Sequence, residues 1–114
     1  MPPRYWSFRI QDMLASAELI VQYTNGVTLD SFRNTPMLRD AVIRNLEIIG
    51  EAACHVPDEI ADRYQDIEWP KIRGMRHHLI HEYFGASLDI IWSAASSDVP
   101  TLIPKLRRIL DDQR

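Results

Sequence analysis

Cysteine is almost absent from the chain. Cys54 is the single one, so no disulfide can form within the chain, and nothing points to an oxidising compartment. Long apolar runs are absent too, because no stretch approaches the roughly 20 apolar residues of a membrane-spanning helix. Residues 1–9 hold arginines and aromatics but no apolar segment of the kind a signal peptide carries. These absences predict a cytoplasmic location.

The chain also lacks an excess of positive charge. Its formal net charge of −3 argues against a general nucleic-acid coat protein, because non-specific binding to phosphate backbones depends on surplus Lys and Arg. The basic side chains instead form two local clusters, Lys71/Arg73/Arg76 and Lys105/Arg107/Arg108. The second cluster is more typical of a solvated helix end, where it favours the helix dipole, than of an RNA track.

Size and hydrophobic content predict one domain over residues 1–114. With 114 residues, 46% of them hydrophobic, the chain can build a single modest core. A chain of this length buries about two thirds of the surface that it exposes when unfolded. Pairing with a second copy would therefore be a natural way to bury more.

Strand signals are absent, and the periodicity is helical throughout. No stretch alternates cleanly, and Asn25-Gly26 follows a helical pattern as its C-terminal stop. Thr35 is predicted to cap a helix that opens at Pro36, and Ser97 or Asp98 to cap the last helix. The predicted helices cover residues 7–23, 29–33, 36–55, 58–64, 70–84, 88–95 and 99–110. The expected fold is all-α, a compact bundle of four to five main helices.

Three of the four histidines fall within the eight residues "RHHLIHEY", residues 76–83. His77 and His81 are four residues apart and His78 and His81 three apart, so either pair could share a helical face and a metal ion. No cysteine partner or further pair of histidines completes the three or four ligands of a zinc site. We therefore expect no metal. The plainer alternative is that these are surface or hydrogen-bonded core side chains.

A third interpretation is metal-free cleavage of RNA. That reaction needs a base for the ribose 2′-hydroxyl, an acid for the leaving oxygen and a cation for the phosphate. Histidine titrates near neutral pH and can be either acid or base, and arginine matches phosphate oxygens with a permanently charged fork. On an ideal helix, Arg76 and His81 are about 140° and about 7.5 Å apart. One chain supplies one such pair, so a two-fold dimer would supply the base, the acid and two arginines.

The spacing Arg76-x4-His81-x-Tyr83 resembles the R-x4-H-x-Y motif of HepT-like toxins in the HEPN superfamily. The resemblance spans nearly the whole chain. "RNLEIIGEAA" (44–53) is similar to the central helix of that family, "GMRHHLIHEYFG" (74–85) with its lead-in to the active-site helix, and "LDIIWSAASSDVPTL" (88–102) to the segment that follows. The motif alone would be a weak signal, but three blocks in order make a specific one.

The resemblance implies a dimeric helical bundle that cleaves RNA without a metal or other cofactor and inhibits growth as a toxin. By analogy Arg76 and His81 are the catalytic pair. Such toxins are paired with an MNT-type nucleotidyltransferase antitoxin that transfers AMP to the motif tyrosine, here Tyr83. On an ideal helix Tyr83 lies about 20° from Arg76 and nearly two turns away, so added phosphates would neutralise the arginine and obstruct RNA.

Four further residues are candidates for supporting roles. His77 stands where such proteins often carry asparagine and could position RNA or simply point to solvent, and Arg73 is a second candidate for positioning RNA. On the central helix, Asn45 and Glu51 could support the catalytic helix or the dimer seam, or serve only solubility and salt bridges. The alternative function is a non-catalytic HEPN module that binds a nucleotidyltransferase partner or a nucleotide.

Overall fold

In the computed structural model, the described residues are 5–82 and 88–113, and side chains are described for all of these except residues 78 and 80–82. The described chain is helical and contains no strand. Its helices are α1 Tyr5–Thr24, α2 Leu29–Arg33, α3 Pro36–Cys54, α4 Asp58–Ala61, α5 Trp69–Glu82, α6 Leu88–Ser93 and α7 Val99–Asp111. The predicted all-α class is confirmed, and none of the described helices has the length and apolar character to cross a membrane.

Helix α1 forms because its apolar residues recur at three- and four-residue steps. Ile10, Met13, Ala17 and Ile20 are completely buried on the resulting stripe. The helix ends before Gly26, whose φ of 73° is a left-handed conformation that glycine adopts without strain. The predicted Asn-Gly stop is thereby confirmed.

Helix α3 is the centre of the bundle, packed against α1 on one side and α5 on the other. Its buried residues occupy more than one face, as predicted, and are Val42, Ile43, Asn45, Leu46, Ile49, Gly50, Ala52 and Ala53. Pro36 opens the helix, as expected. The predicted Thr35 side-chain cap is wrong, because the Thr35 hydroxyl donates a hydrogen bond to the Ser31 carbonyl oxygen at 2.7 Å.

The segment from Leu88 to Asp111 differs from the two capped helices predicted for it. A single π-helical turn, Ala94–Asp98, joins α6 directly to α7, and neither Ser97 nor Asp98 interrupts the helix. The wider turn has a physical reason. In an α-helix the ring of Pro100 would collide with the Ser96 carbonyl four residues earlier, and a π turn is a common way for a helix to absorb such a misfit.

The π turn also preserves the buried stripe. Ile91, Ala95 and Val99 are all buried although each follows the previous one by four residues. Four residues overshoot one α-helical turn by about 40°, so two such steps would rotate Val99 away from the core. Because a π turn holds more residues, the stripe stays aligned with that of α7.

Two tryptophans anchor the core, as predicted. Trp69 is buried and donates from Nε1 to the Tyr64 carbonyl oxygen at 3.0 Å. Trp92 is partly buried and packs on the Phe32 ring with centroids 5.2 Å apart. Each indole thus ties an irregular or short segment to a long helix. The four long helical segments, α1, α3, α5 and 88–111, form the predicted bundle.

Candidate active site

Helix α5 carries both residues of the predicted catalytic pair. Arg76 and His81 lie within the regular helix Trp69–Glu82, so the ideal separation of about 140° and about 7.5 Å applies to their backbones. The Arg76 side chain is 48% exposed. The His81 side chain and all of Tyr83 lie outside the described residues. Of the predicted motif, the structure therefore gives the side-chain surroundings of the arginine.

Glu51 on α3 pairs with Arg76. Its Oε2 lies 2.8 Å from Arg76 Nε, and its Oε1 lies 3.1 Å from His55 Nε2 one turn further along α3. Oε2 is shielded from solvent, and its contact with Nε is an electrostatic pairing without hydrogen-bond directionality. Both side chains are roughly half exposed, so the pair adds little to stability. What it does is fix the direction of the guanidinium group through one of its three nitrogens.

Gly50 sets the distance between α3 and α5 at this point. A Cβ built on Gly50 would lie 3.1 Å from the Cβ and from the backbone nitrogen of Arg76, and 3.1 Å from the Ile72 carbonyl oxygen. Such contacts are tight, and two of the three involve backbone atoms that cannot rotate away. The absence of a side chain at Gly50 therefore lets the backbone of Arg76 sit directly on the central helix.

Arg73 fastens the same two helices one turn earlier. Its Nε donates to the Ala53 carbonyl oxygen at 3.0 Å and its Nη2 to the Val56 carbonyl oxygen at 2.9 Å, while Nη1 lies 3.3 Å from Asp58 Oδ1. The guanidinium group also stacks 5.7 Å from the centroid of the Trp69 ring. These contacts satisfy carbonyl groups that the end of α3 leaves open. All three nitrogens of Arg73 serve the fold, and its predicted role in positioning RNA stays a prediction.

A cleft of about 320 Å³ surrounds the exposed side of Arg76. We call it the Arg76 cleft. Helices α1, α3 and α5 all contribute to its lining, which is Arg9, Asp12, Arg44, Glu47, Ile48, Glu51, Ala52 and Arg76. Three arginines and three carboxylates therefore balance around it. Arg44 and Glu47 pair at 3.8 Å, and Arg76 pairs with Glu51.

The basic cluster read from the sequence is not a free positive patch. Lys71 lies 3.4 Å from Asp98 and 3.6 Å from Glu68, and the Asp98 charge raises the pKa of its ammonium group. Arg73 and Arg76 are paired as described above. In the C-terminal cluster, Arg107 pairs with Glu18, Arg108 with Asp66, and Lys105 donates to the Asp66 carbonyl oxygen. These contacts agree with the prediction of a solvated helix end.

The remaining candidates fall in different surroundings. Asn45 is buried, and its amide donates to the Ala41 carbonyl oxygen of the same helix at 2.9 Å. His77 is exposed on α5. Their proposed supporting roles stay predictions. The histidine pairs considered for a metal involve side chains outside the described residues; among the side chains that are described, no group of three or more metal-binding residues comes together.

Sequence reasoning missed what α1 and the end of α3 add to the site. Arg9 and Asp12 lie more than 60 residues before Arg76 and reach the cleft only through the packing of α1 on α3. His55 was noticed only as a metal candidate, whereas it contacts Glu51. One signal was available in the sequence. Gly50 interrupts a strongly helical stretch, and a helix-interior glycine, which costs about 1 kcal/mol relative to alanine, often marks a close approach.

Comparison with known proteins supplies the context for this geometry. A family model described as "Ribonuclease HepT-like" matches residues 13–109. A "Putative RNase" of Caldanaerobacter subterraneus subsp. tengcongensis is 34% identical over 92% of this chain and 94% of its own length. The "Probable ribonuclease HepT" of Thermococcus cleftensis is 33% identical over 88% of this chain and 91% of its own length.

A third relative is longer. A protein of Methanocaldococcus jannaschii whose name joins a gamma-glutamylcyclotransferase to a putative RNase is 39% identical over 90% of this chain, and the match covers 46% of that protein. No solved structure gives a significant match. The family match contains every described residue of the Arg76 cleft except Arg9 and Asp12.

Proposed function

The chain belongs to the ribonuclease HepT-like family, and from that membership together with the Arg76 cleft we propose that it is a metal-independent endoribonuclease. The observation that carries the proposal is the placement of Arg76. It lies on a regular helix five residues before His81, it lines an open cleft, and Glu51 holds it in one direction. A directed guanidinium group of this kind suits a phosphodiester substrate.

The proposed reaction is an in-line transesterification. One histidine removes the proton of the ribose 2′-hydroxyl, the 2′-oxygen attacks the phosphorus, and the bond to the 5′-oxygen breaks. A second histidine protonates that leaving oxygen, so the products are a 2′,3′-cyclic phosphate and a 5′-hydroxyl. Arg76 stabilises the charge that develops on the phosphate oxygens.

One chain provides one His81 and one Arg76, so the proposed enzyme is a homodimer. With two copies facing each other across a two-fold axis, one His81 acts as base and the other as acid. Glu51 supports this arrangement by keeping Arg76 directed from α3, and the close contact at Gly50 fixes the backbone from which Arg76 projects.

We expect the purified protein to cleave single-stranded RNA at an undiminished rate in excess EDTA. The reason is that the acid, the base and the phosphate-binding cation are all side chains. End-group analysis of the fragments should find 2′,3′-cyclic phosphates, and light scattering should give the mass of two chains. Cleavage that EDTA abolishes and Mn²⁺ or Zn²⁺ restores would contradict metal independence. A stable protein that binds its partner yet leaves RNA intact would favour the non-catalytic module.

We further propose that the protein is the toxin of a toxin–antitoxin pair whose antitoxin is an MNT-type nucleotidyltransferase. Transfer of AMP from ATP to the Tyr83 hydroxyl, with release of pyrophosphate, would silence it. The added phosphates would lie near the directed Arg76 group, since residues 76 and 83 are seven apart, close to two helical turns. Negative charge there competes with RNA for the arginine.

After co-expression with a nucleotidyltransferase from the neighbouring reading frame, we expect the intact mass to rise by one or more whole AMP units. Peptide mapping should place them on Tyr83, and Tyr83→Phe should block the addition. Tyr64→Phe provides the matched control, because Tyr64 is a buried tyrosine whose hydroxyl donates to Asp112 at 2.8 Å. Modification that persists in Tyr83→Phe would contradict the assigned position without affecting the assignment of nuclease activity.

A further inference from the structure

Two aromatic rings stand exposed at the beginning of α1. Tyr5 is 55% exposed and Phe8 is 59% exposed, and their ring centroids are 6.3 Å apart with planes at 83°. The two rings contact each other edge to face, while the neighbouring Trp6 and Ile10 are buried in the core. The pair is therefore turned away from the core and is not needed to fill it.

The two rings lie on the side of α1 that faces the Arg76 cleft. Tyr5 precedes Arg9 by four residues and Phe8 precedes Asp12 by four, and residues four apart are neighbours on a helix surface, with Cβ atoms about 6 Å apart. Arg9 and Asp12 line the cleft together with Arg76. The rings thus extend the rim of the cleft by one helical turn.

Arg9 is the charged side chain between the rings and Arg76. It is partly buried, and within the described part of the chain it forms no salt bridge, unlike Arg44 and Arg76 in the same cleft. An arginine without a carboxylate partner keeps its full fork for a ligand. The ligand it suits best is an anion that offers two oxygens, such as a phosphodiester.

We propose that Tyr5, Phe8 and Arg9 form a subsite for a nucleotide next to the scissile phosphate of single-stranded RNA. One base stacks on the exposed rings, and its phosphate binds Arg9. The inference rests on the proposed nuclease function and extends it by naming where the strand lies beyond the reacting bond. An aromatic surface beside a cationic groove is how proteins bind single strands without reading their sequence.

The observations favour RNA over a second protein chain as the occupant. Fully burying an aromatic side chain covers about 150–250 Å², so two half-exposed rings offer on the order of 200 Å². A stable protein interface needs about 800 Å² from each partner. The charge also fits, because Arg9 would bring an unpaired cation into an apolar contact, whereas a nucleic-acid strand supplies the matching anion.

The test measures binding of the full-length chain to a fluorescent 2′-O-methyl RNA oligonucleotide, which lacks the 2′-hydroxyl nucleophile and stays intact. Phe8→Leu and Tyr5→Leu keep the apolar character but remove the rings, and each should weaken binding by about 5- to 150-fold, the range for loss of a base–aromatic stack. Phe8→Trp should preserve binding. Met37→Ala, which alters another exposed apolar side chain, is the matched control.

Salt dependence separates the ring from the arginine. Arg9→Gln should reduce the slope of log K against log salt by about 0.7, the value for one phosphate contact on a single strand. Phe8→Leu should lower affinity and leave the slope unchanged. Arg107→Gln, which removes an arginine paired with Glu18 on the outside of α7, should change neither quantity.

The outcomes distinguish this inference from the proposed function. If wild type cleaves RNA but the ring and Arg9 variants bind like wild type, the subsite is refuted and the nuclease assignment stands. If binding depends on the rings while RNA is never cleaved, the subsite stands and the nuclease assignment falls. Phe8→Leu that weakens self-association in sedimentation without changing RNA affinity would assign the rings to a protein interface and overturn the proposal.

Discussion

Arg76→Lys is expected to slow RNA cleavage by about 10²–10³-fold while leaving the melting temperature close to that of the parent protein. The size follows from removing one well-placed group that stabilises developing charge in a transition state. Lysine keeps the charge but loses the planar fork and the Nε atom that faces Glu51 at 2.8 Å. Because the Arg76–Glu51 pair is half exposed, its loss should cost little stability.

His81→Ala should reduce the rate by about 10²–10⁴-fold, the range for loss of a general acid or base. Single-turnover cleavage of a labelled RNA in EDTA measures both variants, and the double variant should be little worse than the poorer single one, since the two groups act in one step. Arg39→Lys is the matched control, as Arg39 lies at the start of α3 and donates to the Arg33 carbonyl oxygen. Cleavage within threefold of wild type in either active-site variant would disprove the assigned roles.

Gly50→Leu is expected to destabilise the protein by about 1–3 kcal/mol, the usual cost of overpacking, and to lower cleavage beyond what the loss of folded protein explains. Its Cβ would already stand 3.1 Å from Arg76 and Ile72 backbone atoms, so α5 has to move away from α3 to admit a longer side chain. That movement displaces the backbone of the residue proposed to bind phosphate.

Gly74→Ala offers a control on the same helix. A Cβ at Gly74 meets no atom within 4 Å, so alanine should be tolerated and should stabilise α5 by up to about 1 kcal/mol through helix propensity alone. Thermal melting and single-turnover rates for the two variants, compared at a temperature where both are folded, separate the effects. Equal stability of Gly50→Leu and wild type would mean that the two helices are not in tight contact at this point.

The helices that were predicted well are those whose signals are local. The stripe of α1, the Asn-Gly stop and the proline starts at Pro36 and Pro70 depend on residues within one or two turns, and all of them place helix boundaries to within two residues. The motif spacing on α5 is equally local. For this reason the sequence places Arg76 and His81 on one helix before any tertiary contact is known.

Features that depend on pairs of helices could not be predicted in the same way. The Arg76–Glu51–His55 chain requires the crossing of α3 and α5, and the arrival of Arg9 requires the packing of α1 on α3. The use of Arg73 to cap α3 depends on 20 residues of intervening chain returning to the same place. The join at Ala94–Asp98 failed for another reason. Ser97 and Asp98 are common helix caps, and the fit of Pro100 into a widened turn outweighed that preference.

The π turn at Ala94–Asp98 makes this part of the chain tolerant of substitution and intolerant of changes in length. Ser97 is exposed and its side chain caps no helix, so many residues could replace it. Deleting it would remove the extra residue that the turn accommodates and would rotate everything that follows by about 100°. Leu102, Leu106 and Ile109 would then leave the core, so natural variation in this surface segment should change its composition without adding or removing a residue.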